Sequence, residues 1–225
     1  MMKNTLSARA AFLLMGSLLP LQAAVIADNF TGGPYANGTS LGDGTNNSAT
    51  SGSQAFGLTI GSVALQFISL QTIFDNNSFL FTREVSGGIF ADNLGIPGNE
   101  VASFNTVTLP TQAQDVTITS ATSFVLLPNT LYWFVLTGPV GVGIVPNWQV
   151  DINNTAPTGS ALAATAGYRS SINNQATWSV STVSNQLRIN ANQADFGVDI
   201  QTPEPSTFLL SAGGLLLMGR LIRRR

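Results

Sequence analysis

The sequence predicts an all-β fold, a single antiparallel β-sandwich or jelly roll. Three observations carry that prediction. Short runs of β-branched and aromatic residues recur from Ala55 onward, the composition that strands favour. Clusters of Gly, Pro, Asn and Asp separate those runs at short spacing, as turn chemistry requires. No stretch before Thr202 shows an apolar repeat near 3.6 residues, so amphipathic helices are not expected in the body.

The first element is residues 1–23, where Lys3 and Arg9 precede an apolar run from Ala10 to Leu21 and small residues follow. These are the three parts of a secretory signal peptide. As a helix, the run covers about 18 Å, well short of a hydrocarbon core of about 30 Å. Cleavage is expected between Ala23 and Ala24, with Ala24 or Ala27 as alternative last residues of the signal.

Residues 24–54 form a lead segment dominated by Gly, Asn, Ser and Thr, irregular apart from one short strand. The sandwich domain is expected over residues 55–201. Its strands are placed at 62–69, 78–85, 101–109, 115–120, 123–127, 130–137, 147–152, 176–180, 186–190 and 196–201. Turn signals stand at Asp75-Asn76-Asn77, Gly87-Gly88, Pro97-Gly98, Pro128-Asn129 and Gly138-Pro139. Residues 161–165 suit one short helix.

Among 225 residues there is no His and no Cys. Ser-His-Asp triads, Cys-His dyads and ordinary zinc sites are therefore excluded. No disulfide framework or lipoprotein thiol exists either, so stability must come from burial. From Asp28 to Gln201 ten acids face three bases, Arg83, Arg169 and Arg188, a net charge near −7. Such a body repels phosphate backbones, and nucleic acid is not an expected partner.

Carboxylates are the remaining candidates for chemistry. Glu84, Asp92 and Glu100 could supply a glycosidase-like acid and base, although Asp92 and Glu100 sit where turn acids are ordinary. Asp43, Asp75 and Asp151 open the oxygen-rich stretches "DGTNN", "DNN" and "DINN". Calcium is the one cofactor such loops would suit; Asx hydrogen bonds in turns account for the same residues without any metal. Trp133, Trp148 and Trp178, with Tyr35, Tyr132 and Tyr168, could stack on sugar rings or fill the core. In "LYWFVL" successive side chains alternate, so Tyr132 and Trp133 cannot face one core together.

The last 24 residues, from Thr202, hold Pro203-Glu204-Pro205, an uncharged stretch from Ser206 to Gly219, and Arg220, Arg223, Arg224 and Arg225. The fourteen uncharged residues reach about 21 Å as a helix, a short membrane segment with snorkelling arginines at its end. The basic end should stay cytoplasmic and leave the body outside. A plain membrane anchor would share these features.

This tail resembles the PEP-CTERM sorting signal of Gram-negative bacteria, over residues 202–225. The resemblance implies an exosortase partner that recognises Pro203, Glu204 and Pro205. It also implies an inner-membrane intermediate held by the arginine cluster, then delivery to the cell surface or extracellular matrix. "IADNF", "VSGGIFADNLGIPGNEVASF" and "LLPNTLYWFVLTG" further resemble exported choice-of-anchor β-sandwich domains, which bring no catalytic residues. The expected function is thus an exported non-enzymatic protein met by signal peptidase and exosortase. A carbohydrate-binding module acting in an exopolysaccharide matrix is the alternative.

Overall fold

The computed structural model describes residues 23–31, 38–41, 52–75, 83–139, 146–151, 153–173 and 175–194. The signal helix, Tyr35, Asp43, the strand expected at 196–201, and the tail with Pro203, Glu204, Pro205 and its arginines lie outside them. Fifteen strands are described, and no helix among the described residues is long and apolar enough to cross a membrane. In chain order they are β1 (Ala24–Asp28), β2 (Gly38–Ser40), β3 (Ser53–Ile60), β4 (Leu65–Asp75) and β5 (Glu84–Asn93). There follow β6 (Ile96–Ser103), β7 (Val107–Thr108), β8 (Gln114–Ile118), β9 (Val125–Leu126) and β10 (Leu131–Thr137). The last are β11 (Asn147–Gln149), β12 (Thr158–Gly159), β13 (Ala163–Ser171), β14 (Ser179–Ser181) and β15 (Leu187–Gln193).

They form two antiparallel sheets. One runs β12-β1-β15-β4-β11-β2, with β8 and β9 also on β4; the other runs β14-β13-β3-β10-β5-β6, with β7 on β5. A single core draws on both sheets, the arrangement of a β-sandwich. Phe67 of β4 meets Phe134 of β10 at 5.6 Å between ring centroids, and Trp148 of β11 meets Tyr168 of β13 edge-on at 6.3 Å. β1, β2 and the first residues of β3 come from the stretch expected to lead into the domain.

Several local expectations are corrected. Gly87-Gly88 is no turn: β5 passes through both, and β10 packs beside them. A Cβ on Gly87 would fall 1.9 Å from the Val135 carbonyl oxygen, and one on Gly88 2.4 Å from that of Ala102. The glycines therefore mark close backbone approach on both sides of β5. The turn lies further on, at Leu94 (φ +54°) and Gly95 (φ +87°), the paired left-handed conformation of a two-residue hairpin. Pro97-Gly98 consequently belongs to β6, an edge strand where proline costs no ladder bond.

The helix expected at 161–165 is absent. β13 begins at Ala163 and pairs with β3 over most of its length, through a bulge at Gly167 (φ +82°). Its alanines suit a helix locally, but pairing and burial override weak propensity. β3, which the sequence reading did not single out, is the strand that β13 and β10 flank.

Two substitutions test this core. Phe134→Ala removes a fully buried ring at the sheet–sheet contact. It should cost about 3–5 kcal/mol, a fall of roughly 6–20 °C in melting temperature. Gly87→Ala should cost more than about 1 kcal/mol although it adds a single methyl. Thermal melts followed by circular dichroism check both, and a neutral Gly87→Ala would contradict the register of β5 on β10.

Candidate functional site

Alternation along β10 sends Tyr132, Phe134 and Leu136 into the shared core and turns Leu131, Trp133 and Val135 to the outer face of their sheet. There Ala55, Phe90, Trp133 and Val135 build a second, small apolar cluster, packed against by Leu131 and Trp178. Trp133 is 0% exposed although no second sheet covers it. Its indole lies across Gly57, where a Cβ would sit 2.9 Å from the ring. The Arg169 guanidinium stacks above it, 5.1 Å from the ring centroid.

Polar contacts fix this arrangement. Trp133 Nε1 donates to Asp92 Oδ1 at 2.8 Å, and the Gly95 amide donates to the same oxygen at 3.0 Å. Arg169 Nε donates to the Gly95 carbonyl at 3.1 Å. Three strand spacings, about 14 Å, separate β13 from β5, so the β5–β6 hairpin tip must lean over the sheet for that bond to form. The tip presents Leu94, 98% exposed and left-handed. Val180 stands opposite Arg169 on β14 and is 71% exposed.

A second polar group lies inside. The Asn29 side-chain amide donates to the carbonyls of Thr155 and Asn185, and its oxygen accepts from the Leu187 amide at 2.8 Å. Thr39 Oγ1 donates to Asn185 Oδ1, the Tyr168 hydroxyl to the Asn185 carbonyl, and Trp148 Nε1 to the Gln186 carbonyl. Residues 185–187 are thereby tied to β2, β11, β13 and the residue that follows β1. Burial holds the Tyr168 phenol well above its ordinary value, the Asp151 charge adds to that rise, and hydrogen bonding to Asn29 opposes it.

The expected site residues are dispersed over these places. Trp148 and Trp133 are both fully buried, so neither offers a ring face to a ligand, and Trp178 alone of the three tryptophans is half-buried. Glu84 and Asp92 lie eight positions apart on one strand, about 26 Å, which excludes them as a catalytic pair. Glu100 reaches over Gly88, while Asp92 is engaged as the acceptor that holds the hairpin tip. Asp75 ends β4. Asp151 is buried; its Oδ2 accepts from the Thr155 amide at 2.7 Å and its Oδ1 has no hydrogen-bond partner. Among the described residues no three His, Cys, Asp or Glu side chains gather as a metal would need.

Sequence reasoning missed Arg169, Asn29 and Asn185. The polar residues around Trp133 are far apart in sequence, and only the register of four strands assembles them. No protein-family model matches the chain, and no curated protein or solved structure matches it either.

The Tyr168 environment has a pH consequence. The native state keeps the phenol neutral, whereas an unfolded chain ionises it near pH 10. Stability from this group is therefore complete below about pH 10 and is lost as pH rises toward the native value, by about 1.4 kcal/mol per unit. Tyr168→Phe should flatten that alkaline slope in urea titrations between about pH 9 and 11. A slope equal to that of the parent chain would contradict the burial of the phenol.

Proposed function

We propose that the chain is an exported, non-enzymatic protein of the cell surface or extracellular matrix. On this reading a signal helix directs export, and a short transmembrane tail with a PEP-type motif holds the protein in the inner membrane until an exosortase acts. The observation that carries the reading is where the strands start and stop. β1 begins at Ala24 and β15 ends at Gln193. Cleavage after Ala23 leaves every strand whole. Cleavage after Ala27 would remove the buried Ile26 and Ala27 and the pairing of Ala27 with Gly159 and Ile189, so the earlier site suits the fold. Cleavage near Glu204 falls about ten residues beyond Ala194. Both processing points lie outside the described strands.

The tasks of the acids support the non-enzymatic part. Asp92 holds a hairpin tip, Asp151 a turn, and Asp28 an ion pair with Arg188 at 3.1 Å. Each of these three carboxylates thus has a structural task. A second reading, binding of exopolysaccharide, is favoured by one observation: Trp178 is half-buried and packs on the outer-face cluster around Trp133. A glycan array run with and without chelator should show Trp178→Ala weakening any signal at least tenfold; an unchanged signal would remove that reading.

For the main reading the test is Glu204→Ala. On this reading the two prolines matter because proline disfavours a regular helix, and a protease subsite takes an extended peptide. The variant should be exported but remain in the inner-membrane fraction, still bearing Arg220 to Arg225 by mass spectrometry, while the parent chain loses them in a host with exosortase. Exchange of Leu215 to Leu217 for apolar residues of similar size should leave processing within about twofold, since burial in lipid is not specific. A parent chain that keeps its arginines with and without exosortase would show the tail to be an anchor alone.

A further inference from the structure

We propose that the chain closes itself with an ester bond from the Thr31 hydroxyl to the Gln186 side chain. Thr31 lies three positions beyond β1, and Gln186 immediately precedes β15. Thr31 Oγ1 donates to Gln186 Oε1 at 3.1 Å, and the Thr31 backbone amide donates to the same oxygen at 3.2 Å. Gln186 is 0% exposed, and its Nε2 reaches the Val150 carbonyl at 3.4 Å. The neighbours on both sides are fixed as well. The Asn29 amide donates to the Leu187 carbonyl at 3.0 Å, and Asn29 Oδ1 accepts from the Leu187 amide at 2.8 Å. Asp28 accepts from the Phe30 amide and pairs with Arg188. Residues 28–31 are thus held against 186–188 before any covalent bond forms.

The contact brings together the parts of an acyl transfer. Thr31 Oγ1 is the nucleophile and the Gln186 carboxamide the acyl group. The Thr31 amide, already on Oε1, is the donor for the negative charge that this oxygen gains in the tetrahedral intermediate. The carbonyl carbon lies one C=O length from Oε1, so Oγ1 is within about 4.4 Å of it. Side-chain rotation covers the rest of the way to an attack distance of about 3–3.5 Å. The Oγ1–Cδ bond forms and the Cδ–Nε2 bond breaks. The hydroxyl proton leaves with the amine, so one molecule of ammonia departs and neither oxidant nor reductant is consumed. The chain has no His, and Asp28, the acid of the same turn, is engaged by Arg188. Thr31 is exposed, so solvent supplies the base. The reaction is therefore one slow self-modification that quickens as pH rises, and loss of ammonia to solvent makes it one-way.

A chain without Cys has no disulfide with which to staple its strands. β1 is joined to its sheet through β15 and through two residue pairs on β12. Cleavage after Ala23, as proposed above, would leave β1 at the start of the chain, and termini fray first. The ester itself does not depend on that cleavage. It would join positions 155 apart and constrain the unfolded chain as a long-loop disulfide does. The linked form should melt about 10 °C above the unlinked one.

The test is the intact mass of the purified full-length chain, on isolation and after days at about pH 7 and about pH 9. The parent should become lighter by one ammonia, roughly tenfold or more faster at the higher pH if the bond has not already formed. Peptide mapping should place the loss in one linked pair of peptides carrying Thr31 and Gln186. Thr31→Val should keep its full mass under the same treatment. Thr31→Ser retains a hydroxyl and should still lose ammonia, which covers the case in which Thr31→Val fails to fold. A parent chain that keeps its full mass after prolonged incubation at the higher pH overturns the inference. Ammonia loss that maps elsewhere overturns it too, for instance to Asn37-Gly38, where succinimide formation sheds the same mass.

Discussion

The fold depends on one strand being apolar on both faces. β10 contributes Tyr132, Phe134 and Leu136 to the core between the sheets, and Trp133 and Val135 to the small cluster outside. A chain without Cys has no disulfides and must gain its stability from burial. Burying both faces of a central strand concentrates that burial where β3 and β5 flank it. The cost is that nothing bulky fits beside it. Gly57, Gly87 and Gly88 are the sites where neighbouring strands give way, to an indole or to backbone.

The same constraint explains what could be read from the sequence. "TLYWFVLT" was legible as a strand because every residue favours one, and its alternation already required Tyr132 and Trp133 to part. The tight turn at Pro128-Asn129 was legible for the same local reason, and Asn129 does take a left-handed φ of +53°. β3 and β13 were not, since "QAFGLTI" and "ATAGYRSS" are rich in small residues whose strand character comes from their partners. Gly87-Gly88 misled because glycine signals either a turn or a close approach, and only the neighbour decides. Trp148 was open to either reading, core filling or ligand stacking, and its side chain fills the core against Phe74.

Candidate chemistry was legible only as residue type. Asp28, Asp75 and Asp92 stand at or near strand ends, whereas Glu100, expected in a turn, lies inside β6, and the partners that matter come from distant parts of the chain. Asp92 serves Trp133, 41 positions away, and Asn29 serves Leu187, 158 positions away. Spacing along the chain carries no signal for such pairs. What they do is structural: they satisfy buried donors and fix hairpins and crossovers. The proposed function accordingly rests on the sequence of the chain's two ends and concerns delivery.

The central claim is that the sandwich is a self-contained body delivered by removal of both flanking signals. The intact mass of protein released into the medium, from a host that has exosortase, tests it most directly. The account predicts a chain that starts at Ala24, retains every strand to Gln193 and lacks Arg220 to Arg225. A released mass that still includes Met1 or the arginine cluster would contradict it.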